Sequence, residues 1–371
     1  MTEPAPDVWQ PLARALADEV TPDGSLWHDI VATTPRHEFV PVFLDTSHSP
    51  PRRITVDDPN WLERIYADRP LTIQRQEHPD HPGLHIPTSS TTAPSLMVAM
   101  LNELEVDDTS RVLELGTGTG YNASLLCARL GDAAVVSVDL DPALVDAARV
   151  RLARLGSHPV LATADSRSGC PSGAPYDRVI ATHAVERVPY AWVAQTRPGG
   201  RIVCDVRSAA SADLGRLATL TVNGDGTASG RFWPTDPGGF MAARTRVDVP
   251  PGFFGLSSRD LRDAQRRPNQ ISPTALTSQD FRFALWTRAP HVAVHPGAET
   301  VTSTRDASWA TVSGADVDVA GPVDLWQVVE NSYTWWMDSG KPTVTDFGIT
   351  VTPDGQQVWL GDGRKHERDD K

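Results

Sequence analysis

Residues 111–121 read R-V-L-E-L-G-T-G-T-G-Y, and this run constrains the fold more than any other part of the chain. Val112, Leu113 and Leu115 predict a short apolar strand, with the acid Glu114 at its end. Gly116, Gly118 and Gly120 follow at once, and a helical pattern starts at Tyr121 and runs to about Gly131. Strand, glycine loop and helix in that order let backbone N–H groups approach a nucleotide-like ligand closely. A dinucleotide fold usually spaces its glycines G-x-G-x-x-G, which seats a pyrophosphate on the helix N-terminus. Here the spacing is G-x-G-x-G, and a strand-end carboxylate would repel a pyrophosphate.

The downstream residues extend the pattern. Val135 to Val138 form a second apolar run ending in Asp139, about 20 residues beyond the first glycine, where an acid can accept hydrogen bonds from both ribose hydroxyls. Leu140-Asp141-Pro142 then opens a helix with an N-cap acid and Pro in its first turn. Val160 to Ala164 predict a third strand ending at Asp165, beside Ser166, where a polar side chain can reach an adenine amino group. Tyr176 to Ala181 predict a fourth strand, and Arg197-Pro198-Gly199-Gly200 turns into a fifth. Leu217 to Val222 and Gly230 to Trp233 flank Asn223-Gly224-Asp225-Gly226 and read as a closing hairpin. Strands alternating with helices imply a doubly wound parallel sheet, here with antiparallel strands added at one end. The acids at the strand ends suit a cationic ligand with free amino and hydroxyl groups. S-adenosylmethionine is such a ligand, and a dinucleotide is the alternative. The candidate contacts are Glu114, Gly116, Thr117, Gly118, Gly120 and Tyr121 from the loop, Asp139 and Leu140 from the second strand, and Asp165 and Ser166 from the third.

Three segments ahead of the loop narrow the class. They are Pro35-Arg36-His37-Glu38-Phe39-Val40-Pro41, Tyr66-Ala67-Asp68-Arg69-Pro70-Leu71, and Thr92-Ala93-Pro94 before an amphipathic helix. In this order the chain resembles the protein L-isoaspartyl O-methyltransferase family over about Val8 to Val206. The resemblance implies a Rossmann-like class I methyltransferase sheet, S-adenosylmethionine as methyl donor and a carboxylate as acceptor. A carboxylate with a pKa near ~4 is already ionised at neutral pH, so no general base is needed. The protein must align donor and acceptor. Thr92 stands where the family usually carries Ser, and its hydroxyl can hold the acceptor carboxylate. Thr91 and Ser90 offer the same group one and two positions earlier, and capping the next helix is an alternative use of Thr92.

Two departures from the compact repair enzymes stand out. Residues 74–85 are extra, and they read as a Pro-rich loop that shapes a peptide groove rather than as a metal site, although His78, His81 and His85 fall in it. After Arg244 and a Val249-Pro250-Pro251-Gly252 linker, the chain continues through what reads as a smaller C-terminal α+β domain. In it, Phe281 to Trp286 and His291 to Val294 read as strands, Leu325 to Met337 as a helix, and Gly348 to Leu360 as a hairpin around Pro353-Asp354-Gly355. Arg259, Arg262, Arg266 and Arg267 read as one helix, either docking an acidic peptide or facing solvent among Asp260 and Asp263. Trp335-Trp336 reads as core or as a peptide contact. The expected layout is 1–90 for the N-terminal segment, 91–246 for the catalytic core, 247–362 for the appended domain and 363–371 for a disordered tail.

The appendage resembles the specialised family members associated with ATP-grasp-macrocyclised ribosomal peptides (graspetides). That resemblance implies methylation of an Asp in a constrained peptide, giving an ester that can collapse to aspartimide and isoAsp. General repair of isoaspartyl proteins is the alternative. Composition limits the rest. A net charge of −13 without a basic run argues against nucleic acid. No apolar run is long enough for a membrane span and no signal pattern opens the chain, so a cytoplasmic location is expected. Cys127, Cys170 and Cys204 are scattered and read as core thiols, with no metal site expected.

Overall fold

The computed structural model describes residues 6–78, 81–211, 213–234, 239–244, 264–295, 297, 299–361 and 364–365. Its centre is a ten-stranded sheet. Val160–Thr163 lies at one edge, followed by Val135–Asp139, Val112–Leu115, Tyr176–Val185 and Thr196–Arg207, all parallel. Short apolar strands buried on both faces give this arrangement, because side chains alternate across the sheet. Val112, Val135, Ile180 and Val203 enter one core, with the helices Pro6–Val20, Pro94–Leu104 and Tyr121–Leu130. Leu113, Val136, Val179 and Ile202 enter the other, beneath Trp192. The fold class expected from sequence is therefore present.

Past Thr196–Arg207 the sheet turns antiparallel through Gly215–Val222 and Ala228–Phe232, the expected closing hairpin. The sheet does not end there. Phe347–Thr352 pairs onto Ala228–Phe232, with Ala228 opposite Val351 and Arg231 opposite Gly348, and Gly355–Leu360 and Arg364–Lys365 follow. This corrects the expected split at residue 247. The last hairpin belongs to the catalytic sheet, because the edge left by the closing hairpin offers unpaired backbone that another strand satisfies. Arg364–Lys365, expected in a disordered tail, forms the outermost strand. The other tail residues and the 249–252 linker lie outside the described residues.

Between these two parts sits a five-stranded antiparallel sheet, covered by Leu325–Asp338 with Leu325, Trp326, Val329 and Ser332 buried. Phe281 to Trp286, expected as a strand, lies in the helix Gln279–Arg288. Phe281 and Leu285 pack into the small sheet's core, while Phe283, Ala284 and Trp286 pack into the catalytic core. A helix buried on two sides shows no single apolar stripe, and its sequence imitates a strand. Each such aromatic or aliphatic side chain contributes about 1.5–3 kcal/mol on burial, so this helix fixes the two sheets together. Trp336 is held by its Nε1–H donating to Pro342 O at 2.9 Å and by Phe281, and Trp335 lies under Arg288, so the pair is packing. Arg266 and Arg267 lie on the strand Gln265–Pro268, paired with Asp318 and with Glu330 and Asp324, rather than on a helix; Arg259 and Arg262 lie outside the described residues.

The extra residues ahead of the glycine loop are a β-hairpin, not a loop. Leu71–His78 pairs with His81–Thr91 at the edge of a four-stranded sheet. Pro82 and Pro87 are tolerated because His81–Thr91 is the edge strand. Among the described residues no helix is long and apolar enough to cross a membrane.

Candidate active site

A cavity of about 240 Å³ opens at the C-terminal ends of the parallel strands, where ligands bind in doubly wound sheets. Its floor is the glycine loop. Gly116 takes φ 104°, and a Cβ there would lie 2.5 Å from Thr182 Oγ1, so only glycine fits. Gly116 N and Thr117 N both donate to Val138 O, at 2.7 and 3.2 Å, which ties the loop to the neighbouring strand. Gly118 N donates to Asp139 Oδ2 at 2.8 Å, and Asp141 N donates to Asp139 Oδ1 at 3.0 Å. Each carboxylate oxygen has further acceptor capacity, and Asp139 lines the cavity. Burial pushes its carboxyl up, and the two N–H donors and Arg244 oppose that shift.

Not every expected contact lines the cavity. Glu114 is fully buried one layer beneath it. Asn122 Nδ2 donates to Glu114 Oε1 at 2.7 Å, and Ser137 Oγ donates to Oε2. Ser137 Oγ also lies 2.6 Å from Thr117 Oγ1, so Glu114 braces the loop from below. Burial pushes its carboxyl up to about 7, and its two donors act the other way. Gly120 is the helix N-cap, where a Cβ would come within 3.0 Å of Ala148 Cβ; it serves helix packing. Asp165 accepts from Arg167 N, Nε and Nη2, and this pairing holds its carboxyl below the usual range; Ser166 lines the cavity in its place. Thr117, Gly118, Tyr121 and Leu140 also line the cavity. Tyr121 Oη and Asn122 Oδ1 have no hydrogen-bond partner among the described residues, so a ligand there meets polar atoms in need of one.

The facing wall carries hydroxyls. Thr88, Ser89, Ser90, Thr91 and Thr92 all line the cavity at the end of the hairpin. The helix Pro94–Leu104 is not capped by Thr92. Its N-cap is Ala93, and Ser95 N donates instead to Asp68 Oδ1 at 2.9 Å. Thr92 is fixed through its backbone, because the buried Arg36 donates from Nη2 to Thr92 O at 3.1 Å and also reaches the carbonyls of Ile65, Ala67 and Arg69. Burial pushes the Arg36 guanidinium down to about 10. Two of the sequence segments thus meet here: Arg36 and Asp68 hold the start of the helix, and Tyr66 Oη lies 2.8 Å from His37 Nδ1.

Sequence reasoning missed two groups. His183 lines the cavity beside the glycine loop, with its Cδ2 3.5 Å from the position of a Gly116 Cβ. Its ring nitrogens have no hydrogen-bond partner among the described residues, and burial pushes its pKa down to about 4. Its place at the end of the fourth strand was the available signal. The second group is Gly239–Arg244, which crosses the cavity as a strap. Ala184 N donates to Met241 O at 2.8 Å, Ala243 N to Ala184 O at 2.7 Å, and Phe240 N to Asp205 Oδ2 at 3.1 Å. Nothing in the strap's sequence predicts this, since its anchors are remote.

A doubly wound sheet with a glycine loop, a ribose-height acid and antiparallel closing strands defines the class I methyltransferase type. Comparison with known proteins narrows it further. Residues 29–228 match the model of the protein-L-isoaspartate(D-aspartate) O-methyltransferase family, and the chain belongs to this family of S-adenosylmethionine-dependent carboxyl methyltransferases. Among its relatives, the protein-L-isoaspartate O-methyltransferase of Methanoculleus marisnigri is 36% identical over 183 residues, covering 47% of this chain and 76% of that protein. The one from Anaeromyxobacter dehalogenans strain 2CP-C is 35% identical over 170 residues, covering 45% and 74%. A solved protein-L-isoaspartate O-methyltransferase superposes with a TM-score of 0.51 at 18% identity, covering 95% of this chain and 99% of its own, a likeness of fold. That coverage takes in most of the C-terminal region, so a C-terminal extension is not by itself a mark of a specialised branch.

Proposed function

We propose that this protein methylates an Asp side-chain carboxylate in a ribosomally made, macrocyclised peptide. The observation that carries this reading is the acceptor side of the cavity. It is walled by the Leu71–Thr91 hairpin and roofed by Gly239–Arg244, and the roof lies beyond the residues matched to the family. When bound, S-adenosylmethionine supplies a sulfonium-activated methyl group. The chain's residues do the rest by position. The Gly116–Gly118 backbone lets the donor approach, Asp139 accepts from its ribose hydroxyls, and Leu140 and Ser166 flank its base. Thr92, with Thr91 and Ser90 beside it, donates hydroxyl hydrogen bonds that fix the acceptor carboxylate. The carboxylate arrives ionised, so no side chain has to remove a proton. The product ester is a better acyl donor than a carboxylate, so the following backbone amide nitrogen can attack its carbonyl, displace methanol and close an aspartimide, whose hydrolysis gives Asp and isoAsp.

General repair of isoaspartyl proteins is the second reading, favoured by the nearly full-length superposition on a solved protein of that name. Methyl transfer from labelled S-adenosylmethionine separates the two. The panel holds unrelated linear isoAsp peptides, the same peptides with Asp, and Asp peptides macrocyclised through side-chain ester or amide bonds. Transfer confined to a macrocyclic Asp peptide is expected. Efficient transfer to many unrelated isoAsp peptides would replace this reading with repair.

A further inference from the structure

Arg244 is the one Arg or Lys that lines the cavity, and Asp139 the one acid, among the described residues. A carboxylate that enters such a site leaves water and meets the Asp139 charge, and both oppose binding unless a cation faces it. The guanidinium is placed to do so. Its Nη1 donates to Gln76 Oε1 and its Nη2 to Thr88 O, both at 3.3 Å, the long end of hydrogen bonding. Gln76 and Thr88 belong to the hairpin that carries the hydroxyl run. The strap delivers Arg244 there through two backbone hydrogen bonds with Ala184 and one from Phe240 N to the Asp205 carboxylate, so its position does not depend on a bound ligand.

We infer that Arg244 is a positioning residue that binds the acceptor carboxylate together with the Ser90–Thr92 hydroxyls. This rests on the carboxyl-methyltransferase reading of the same cavity. A carboxylate has acceptor sites for both the hydroxyls and the guanidinium, whose fork of donors fits it. The donor's own amino-acid carboxylate shares this chemistry. The acceptor is favoured because Arg244 donates to Gln76 and Thr88 of the hairpin that carries the hydroxyl run, while also facing the Asp139 charge.

The test uses the full chain and the peptide that the wild type methylates fastest in the panel above. KM and kcat are measured for Arg244→Ala and Arg244→Lys, with S-adenosylhomocysteine affinity by calorimetry. Arg244→Ala is expected to raise the peptide KM roughly tenfold or more, with donor-product affinity unchanged within about twofold. Arg244→Lys is expected to recover part of the loss, since the charge stays and the fork is lost. Peptide binding to the complex with S-adenosylhomocysteine, followed by calorimetry, should fall in parallel. An unchanged KM, or a fall in S-adenosylhomocysteine affinity with KM unchanged, would overturn the inference. A wild type that binds the donor product but methylates no carboxylate in the panel would overturn the acceptor reading itself, a separate outcome.

Discussion

The glycine-loop wall of the cavity is made within residues 112–139, where Gly118 N reaches Asp139 only 21 positions along the chain. The wall facing it joins Thr88 to Arg244, 156 positions away, through a hydrogen bond of 3.3 Å. The first wall is mostly backbone: positive-φ glycines, two N–H groups on Val138 O and one on Asp139. The second is mostly side chains on a hairpin and a strap. A backbone wall suits a ligand that never changes, because it has few ways to vary. A side-chain wall suits a variable acceptor, because each hydroxyl or cation can change without unfolding what carries it.

Breaking the backbone wall should have the largest effect. Asp139→Ala removes both the acceptor for donor hydroxyls and the anchor of Gly118 N. S-adenosylhomocysteine affinity is expected to fall by about 100-fold or more, two groups at 1.5–3 kcal/mol each, read by calorimetry. Gly116→Ala forces a side chain into a positive φ and onto Thr182 Oγ1 at 2.5 Å. A loss of about 1–3 kcal/mol in urea unfolding is expected, together with weakened donor binding. Adding Thr182→Ala should restore the steric part and not the backbone part, which sharpens the claim that the loop's conformation matters by itself.

The side-chain wall should respond more gently and without loss of fold. Thr92→Val keeps the shape and removes the hydroxyl. Because Asp68 and not Thr92 accepts from the helix start, the thermal midpoint should stay within a few degrees. Methyl transfer is expected to fall by roughly tenfold, one hydrogen bond to a charged group. Full activity in Thr92→Val, with a loss in Thr91→Val or Ser90→Ala, would move the acceptor contact along the run.

The smallest effect concerns the layer under the loop. Glu114 is buried and its carboxyl is raised to about 7, so the folded state holds its proton more tightly than the unfolded chain does. Its contribution is present below about pH 4.5 and is lost as pH rises through about 7. His37 and His183, both lowered to about 4, act in the opposite direction, losing stability as pH falls below about 6.5. Glu114→Gln should therefore gain on the wild type by about 1–3 kcal/mol between pH 5 and pH 8 in urea unfolding. A difference that does not change with pH would mean that Glu114 stays ionised against Ser137 and Asn122.

Much of this was legible in sequence because it is local. The glycine loop, Asp139, the Asp141-Pro142 helix start and the closing hairpin follow from spacing and turn chemistry alone. The motif residues Arg36 and Asp68 were visible as a pattern, but what they do was not. Their partners, Thr92 O and Ser95 N, lie far along the chain. The surroundings of Glu114 and Asp165 were not legible for a related reason. An acid at a strand end can face the ligand, a neighbouring hydroxyl or an arginine, and only the packing around it selects one. Phe281 to Trp286 were misread because a helix with two buried faces loses the periodicity that marks a helix.

The sequence by itself determined the class of sheet, the glycine loop and the acid beside it, since backbone conformation at Gly116 and strand-end position at Asp139 depend on neighbours in the chain. Only the tertiary structure decided which acids reach the cavity, that the last hairpin extends the catalytic sheet, and that Arg244 and His183 stand over the site. These depend on strand pairing and side-chain packing between segments far apart in sequence, and no local pattern encodes which distant backbone or side chain will be there to meet them.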